Sequence, residues 1–340
     1  MSHAADADTP ARDAVTPAPG APPRWLPVPV ARLRDFALVP AIVALLVVGS
    51  FVDPSFLTSS NLTNVLQQQT ELGLLVLAEA LILITGRFDL SLESTIGLAP
   101  ALGILVVTDW LDIAPGWSVP ICLLAGMLIG AFNGLLIVRF QLSAFIVTLG
   151  MLIVLRGLQV GFTGGKSLFE LPRTFDYLGS AEWLAVPASI WLTGIAYAVA
   201  IVALGYFRQG RALYAVGGNT DAARAAGIRT DRVIWLVFVI GGVLAAAAGM
   251  LLVGRLGSVA ANQGEGMIFT VFAAAVIGGV SLAGAKGTIF GALCGVLVLG
   301  LIQNILLLAG VSAQWNQAIY GAIILLALVL ARLTTGKAQD

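Results

Sequence analysis

The chain has 340 residues and a formal net charge of zero; 59% of its residues are hydrophobic and only 11% are charged. Since soluble domains carry about a quarter charged residues, this composition excludes an ordinary soluble fold and predicts an all-α, polytopic membrane protein. The net charge gives no indication of a nucleic-acid partner. The only histidine is His3, and the two cysteines, Cys122 and Cys294, lie in apolar runs, so a metal site is not expected.

Residues 1–34 are rich in proline and alanine and lack apolar periodicity, which predicts a disordered tail. Apolar runs then follow across 35–334, which we interpret as one membrane domain, and residues 335–340 form a short polar C-terminus. Spans of about 20 residues fit this domain at about ten places. They are 36–52, 62–85, 91–108, 118–138, 144–162, 188–206, 233–253, 267–281, 288–308 and 315–333, of which the eighth is short.

The basic residues predict the orientation of these spans. If both chain ends are cytoplasmic, only Lys166, Arg173 and Arg255 fall in outer loops, and Arg156 lies within a span. Every other lysine and arginine then falls on the cytoplasmic side, as the positive-inside rule requires. The tail, the C-terminus and the loop 207–232 are therefore predicted to be cytoplasmic.

The centre of that loop, 221–227 (DAARAAG), predicts a short capped helix. Asn219 or Thr220 is a suitable N-cap, Asp221 places a negative charge in the first turn, and Gly227 is a suitable stop. A short helix outside the bilayer between two spans offers a docking point for a partner protein.

Charged side chains within the spans are costly in hydrocarbon and face a partner or a cavity. Arg156 lies roughly 9 Å from the outer end of the fifth span, and Glu71 roughly 14 Å from the outer end of the second. We therefore expect Glu71, or the glutamines at 67–69, to pair with Arg156, either to hold helices together or to form a polar path. Glu79 lies near the inner end of the second span.

Candidate residues for such a polar path are mostly neutral. They are Gln67, Gln68, Glu71, Glu79, Asn133, Thr148, Arg156, Gln303, Asn304 and Gln317. Amides of this kind also hold neighbouring helices together. The small residues of 241–249 are interpreted as close helix packing. Asp89 and Ser91 are interpreted as a cap of the third span, with Glu93 in its first turn.

No nucleotide site is predicted in the chain itself. The nearest approach to a phosphate loop, 161–167 (GFTGGKS), has three residues between Gly161 and Gly165 where four are needed, and it follows a membrane span instead of a strand. No Ser-His-Asp or Cys-His set can be built either. An enzyme is therefore not expected.

Several short motifs occur together across 36–333. They are Asp89-Leu90-Ser91 after Ile84-Thr85-Gly86, Asn133-Gly134, the run 144–150 (AFIVTLG) before Arg156-Gly157, the run 278–287 (GGVSLAGAKG), and the acidic-Ala-Ala start and Gly end of 221–227. In order and approximate spacing they resemble the ABC-transporter permeases of the ribose, xylose and galactose type, in the branched-chain amino acid and sugar permease family. The 221–227 pattern resembles the EAA loop of such permeases. Differences at Arg87-Phe88, Ser143-Ala144 and Ala285 leave the sugar open.

The resemblance implies a homodimer of permease subunits in a bacterial inner membrane, bound to an ABC ATP-binding subunit and loaded by a periplasmic sugar-binding protein. It implies no cofactor in this chain, because the partner subunit binds ATP. It also implies that 207–232 is the coupling loop. The residues implied to contact the ATP-binding subunit are Asn219, Asp221, Ala222, Ala223, Arg224 and Gly227.

Two alternatives remain open. A permease for branched-chain amino acids or nucleosides belongs to the same class. An ion-coupled secondary transporter belongs to a different class and is favoured by Glu71 and Glu79 within the membrane. The cytoplasmic helix favours the ATP-driven importer.

Overall fold

The computed structural model describes residues 38–312, 315, 318–319 and 321–322. The predicted tail, most of the tenth predicted span with Gln317, and the polar C-terminus lie outside these residues. Helices lie at each of the first nine predicted spans, because a helix satisfies its own backbone hydrogen bonds in an apolar run.

In chain order the helices are α1 (Val39–Val52), α2 (Ser59–Gln68), α3 (Thr70–Ile84), α4 (Leu92–Leu105), α5 (Ser118–Arg139), α6 (Ala144–Thr163), α7 (Arg173–Ser180), α8 (Ala188–Tyr206), α9 (Arg208–Gly218), α10 (Thr220–Ala225), α11 (Thr230–Leu256), α12 (Met267–Ile277) and α13 (Ile289–Leu308). A π-helical turn, Val106–Trp110, extends α4, and a 3-10 turn, Pro115–Trp117, precedes α5. Two short antiparallel strands, β1 (Glu182–Trp183) and β2 (Val186–Pro187), lie between α7 and α8. Gln69 alone separates α2 from α3, so these two helices together fill the second predicted span.

Within the described residues, six helical segments are long and apolar enough to cross a membrane. They are Leu92–Trp110, Pro115–Arg139, Ala144–Thr163, Ala188–Tyr206, Thr230–Leu256 and Ile289–Leu308. α1 and α12 are apolar but shorter. This helix content confirms the prediction of an all-α, multi-pass membrane protein. α7 and α9 were not predicted from the sequence, since both are short and lie outside the long apolar runs.

α11 lies at the centre of the packing and contacts α3, α4 and α5. Glycines let the backbones approach closely: a Cβ at Gly242 would meet the Gly126 carbonyl of α5, and a Cβ at Gly249 would meet the Ile96 carbonyl of α4. Small residues at helix interfaces are typical of membrane bundles. The interpretation of 241–249 as close helix packing is confirmed.

The connection between α3 and α4 is not helical over 85–91. The Ser94 hydroxyl, close to the start of α4, donates to the Leu152 carbonyl at 2.7 Å. Leu152 lies about 12 Å along α6 from Ala144 at 1.5 Å per residue. α4 therefore starts deep within the bundle, and this displacement decides which side chains meet Glu93.

Candidate coupling helix and translocation path

α10 is capped at both ends by the side chain and backbone contacts that the sequence predicts. The Asn219 side-chain oxygen accepts from the Ala222 N–H at 2.9 Å, and Asp221 lies in the first turn. At the other end, the Ile228 N–H donates to the Ala223 carbonyl and the Gly227 N–H to the Arg224 carbonyl, each at 3.0 Å. This pair of bonds is a Schellman motif, with Gly227 in the left-handed region at φ +84°. The predicted N-cap and glycine stop are confirmed.

One face of α10 is open to contact. Asp221, Ala222 and Arg224 are exposed, whereas Ala223 is buried against the rest of the protein. The Arg224 guanidinium donates to the Asp231 carboxylate at 3.0 Å and so fixes α10 to the start of α11. An exposed helix that is fixed at both ends can take up a force exerted by a docked partner protein.

Backbone contacts join the segment before α10 to two other parts of the molecule. The Ala285 N–H donates to the Ile84 carbonyl at 2.9 Å, which ties the loop 278–287 to the end of α3. Gly217 of α9 lies directly against this hydrogen bond, because a Cβ there would meet the Ile84 carbonyl and lie 2.8 Å from the Ala285 nitrogen. We call this contact of three backbones the glycine junction.

A cavity of about 590 Å³ lies beside the glycine junction. Arg87 and Phe88 of the 85–91 connection line it, together with Gln141, Arg224 and Asp231. Burial lowers the pKa of the Arg87 guanidinium, and the Asp231 carboxylate opposes that shift. The 85–91 connection, α10 and the start of α11 therefore line one cavity.

Glu79 and Asn133 belong to one buried polar cluster around the 85–91 connection. The Asp89 N–H donates to the Glu79 carboxylate at 3.4 Å, and the Asn133 amide donates to the Ser91 hydroxyl at 2.8 Å. Asp89 accepts from both the N–H and the hydroxyl of Ser91, at 2.9 and 2.6 Å. The expected cap of α4 is therefore corrected: the Ser91 side chain does not cap the helix, because its hydroxyl is bound to Asp89.

Thr148, another candidate path residue, does not join this cluster. Its hydroxyl donates to the Ala144 carbonyl of its own helix at 2.8 Å, and its side chain is buried. A hydroxyl bound in this way is typical of threonine within a helix.

The predicted partner of Arg156 is wrong. Arg156 contacts Glu93 of α4 at 3.1 Å and Glu265, before α12, at 3.6 Å. Glu93 also accepts from the Ile268 N–H at 3.2 Å, in the first turn of α12. The depth estimate failed because α4 starts deep within the bundle, which raises Glu93 to the level of Arg156.

Glu71 pairs instead with Arg255, at the end of α11, at 2.8 Å. The Glu71 side chain is 2% exposed and that of Arg255 26% exposed. The Gln67 amide donates to the Gly179 carbonyl of α7 at 3.4 Å. Arg255 reaches Glu71 from a position that the sequence assigns to an outer loop, so no count of residues along a span could have found it.

The remaining candidates, Gln68, Gln303 and Asn304, line one small cavity between α2 and α13. Asn304 is bound side chain to side chain with Asn61, at 2.9 and 3.0 Å in the two directions. Asn61 lies in the polar first turn of α2 and was not predicted, because nothing in its local sequence indicates contact with α13.

The fold and these contacts define a multi-pass membrane protein with an exposed, capped helix joined to the end of its helix bundle. The family model for the permease component of branched-chain amino acid transport systems matches residues 61–328. The chain belongs to this family of membrane permeases, as the motif resemblance predicted.

Two relatives illustrate the similarity. The chain is 35% identical over 294 residues to the ribose import permease protein RbsC of Escherichia coli (strain K12), covering 85% of this chain and 91% of the relative. It is 35% identical over 301 residues to the autoinducer 2 import system permease protein LsrC of Escherichia coli (strain K12 / DH10B), covering 87% of this chain and 86% of the relative. No solved structure matches the chain.

Proposed function

We propose that the chain is the permease subunit of an ATP-driven ABC importer in a bacterial inner membrane, and that its solute is a monosaccharide. The sugar is supported by the relative named as a ribose import permease, which aligns with most of both chains. In this proposal a periplasmic binding protein delivers the solute, two copies of the chain enclose the passage, and separate subunits bind ATP. The chain itself contributes no ATPase site.

The observation that carries the proposal is the position of α10. It is exposed, capped at both ends, and connected through Gly217 to the end of α3 and to the loop 278–287. A displacement of α10 by a docked ATP-binding subunit would therefore reach two membrane helices, α3 and α12, through backbone contacts. The 85–91 connection follows α3 directly and would move with it, together with its polar cluster.

The polar side chains divide between two tasks in this mechanism. We assign Glu79 and Asn133 to the inner part of the path, and Gln68, Gln303 and Asn304 to its outer part. Glu71 and Arg156 are bound in ion pairs, and Gln67 is bound to a carbonyl of α7, so we assign these three residues to holding helices together. Thr148 is bound to a carbonyl of its own helix, so we assign it to neither task.

Gly227→Val tests the coupling role. The left-handed φ disfavours a β-branched residue there, although a Cβ itself would meet nothing within 4 Å. We expect sugar uptake in cells to fall about tenfold, a change of about 1.4 kcal/mol in coupling, while the purified importer still hydrolyses ATP. Uptake of radiolabelled D-ribose, D-xylose and D-galactose and release of phosphate are the measurements.

Gly164→Val is the matched control. Gly164 ends α6 with φ +60° and equally open space, so the local strain is similar but lies far from α10 along the chain. Normal sugar uptake by Gly227→Val, or an equal loss in both variants, would contradict the coupling role.

L-leucine is included in the uptake panel, because import of leucine but not of the sugars would favour a permease for branched-chain amino acids.

One observation favours the ion-coupled transporter as a second candidate. Within the described residues, the second carboxylate oxygen of buried Glu79 has no hydrogen-bond partner, which leaves this oxygen free to bind a proton. Uptake by Gly227→Val distinguishes the ion-coupled transporter from the ATP-driven importer. Proton-coupled uptake should survive this substitution, and it should stop when the proton gradient is collapsed.

A further inference from the structure

The small cavity between α2 and α13 is lined by side-chain amides and apolar groups. Gln68, Gln69, Gln303 and Asn304 contribute the amides, and Val65 and Leu307 contribute apolar walls. The cavity measures about 80 Å³. Since about 10–15 Å³ suffices for one water molecule, it has room for several.

The hydrogen-bonding capacity of these amides is largely unused. Each amide carries two N–H donors and an oxygen with two lone pairs. In the described part of the chain, Gln68 and Gln303 make no side-chain hydrogen bond, and the Gln69 side-chain oxygen is buried without a partner. Asn304 uses one donor and one acceptor on Asn61. Buried polar groups are normally satisfied, so the buried Gln69 oxygen requires water or a ligand as its partner. Gln68 is exposed and Gln303 is half-buried, and their amides can bind the same molecule.

The shape of the cavity depends on Gly300 of α13. A Cβ at this position would lie 2.5 Å from Cγ and 2.7 Å from Cδ of Gln69. The absence of a side chain at Gly300 therefore leaves the Gln69 amide room to lie in the cavity wall. Asn61 and Asn304, in turn, hold α2 and α13 together beside it.

We propose that this cavity is a solute subsite that binds a neutral, polyhydroxylated molecule through hydroxyl–amide hydrogen bonds. A hydroxyl both donates and accepts, as an amide does, and the apolar walls suit the C–H groups of a sugar ring. No charged side chain lines the cavity among the described residues, which disfavours the ammonium and carboxylate groups of a free amino acid. The inference rests on the proposed function and adds the residues that bind its sugar.

Gln69→Leu and Gln303→Leu test the subsite, because leucine is similar in size to glutamine but cannot form these hydrogen bonds. Each variant replaces the chromosomal copy in native cells, and uptake of radiolabelled D-ribose, D-xylose and D-galactose is measured. We expect each change to lower sugar uptake about fivefold, the fold-change of one lost hydrogen bond. Gly300→Ala should act in the same direction, because its methyl group displaces the Gln69 side chain.

Asn64→Leu is the matched control, since Asn64 lies on α2 but is exposed and does not line the cavity. It should keep sugar uptake within about twofold of the wild type. Equal uptake by the wild type, Gln69→Leu and Gln303→Leu would overturn the subsite and leave the proposed function intact. Absence of sugar uptake in the wild type would overturn the proposed function and the subsite with it.

A second measurement covers variants that fold poorly. A ligand that binds only the folded state raises the melting temperature. The purified full-length chain is therefore heated in detergent with about 100 mM D-ribose, D-xylose, D-galactose or L-leucine. At least one of the three sugars should stabilise the wild type and Asn64→Leu, but not Gln303→Leu, and L-leucine should stabilise none of them. No stabilisation of the wild type by D-ribose, D-xylose or D-galactose would mean that the cavity holds water only.

Discussion

Gly217→Ala should lower sugar uptake about tenfold or more, equivalent to about 1.4 kcal/mol of lost coupling. The added methyl group would meet the Ile84 carbonyl and crowd the Ala285 N–H, whose hydrogen bond closes the glycine junction. These are backbone atoms, so no change of side-chain rotamer can relieve the clash. α9 must therefore move away from α3. Uptake of labelled sugar and the melting temperature of the purified chain are the measurements.

The neighbouring residue Gly218 is the control for Gly217→Ala. It belongs to the same helix and is exposed, and a Cβ there would make an ordinary contact with the Ala285 methyl group at 3.7 Å. Gly218→Ala should therefore keep normal uptake. If Gly217→Ala also imports sugar at the normal rate, the glycine junction does not transmit the movement of α10.

Arg255→Met should lower the free energy of unfolding by about 3–5 kcal/mol. It leaves the Glu71 carboxylate buried without its cation, and the second oxygen of that carboxylate already lacks a partner among the described residues. This loss of stability comes from the uncompensated charge of the Glu71 carboxylate, so removing both charges should restore stability. We expect Glu71→Met with Arg255→Met to lie within about 1 kcal/mol of the wild type.

Arg224→Met is the comparison for Arg255→Met, because both members of the Arg224–Asp231 pair are more than half exposed. Its cost should be below about 1 kcal/mol. Unfolding of the purified chain in mixed detergent micelles gives all four values. A cost for Arg255→Met as small as that for Arg224→Met would show that Glu71 is hydrated or protonated instead of charged and buried.

The sequence was sufficient for features that depend on neighbouring residues. Apolar runs give helices at the first nine predicted spans, and Asn219 and Gly227 give both ends of α10, because capping is decided within one turn. The cluster that joins Glu79 and Asn133 through Asp89 and Ser91 was not predicted, because Asn133 and Ser91 are 42 residues apart in the sequence.

The ion pairs could not be predicted because they depend on where each helix starts in depth. Counting along a regular span places Glu93 at the inner end of α4, whereas the non-helical residues 85–91 carry it up to Arg156. Glu71 and Arg255 are 184 residues apart in the sequence. Nothing in their local sequence indicates that α11 ends beside α3.

Both cysteines of the chain, Cys122 and Cys294, are free and buried in the described structure. A water-soluble maleimide should therefore leave the unaltered protein unlabelled. A thiol introduced at exposed Ala222 would then react alone, and only from the side of the bilayer that α10 faces. No native cysteine therefore has to be replaced before labelling at Ala222 is used to determine which compartment α10 faces.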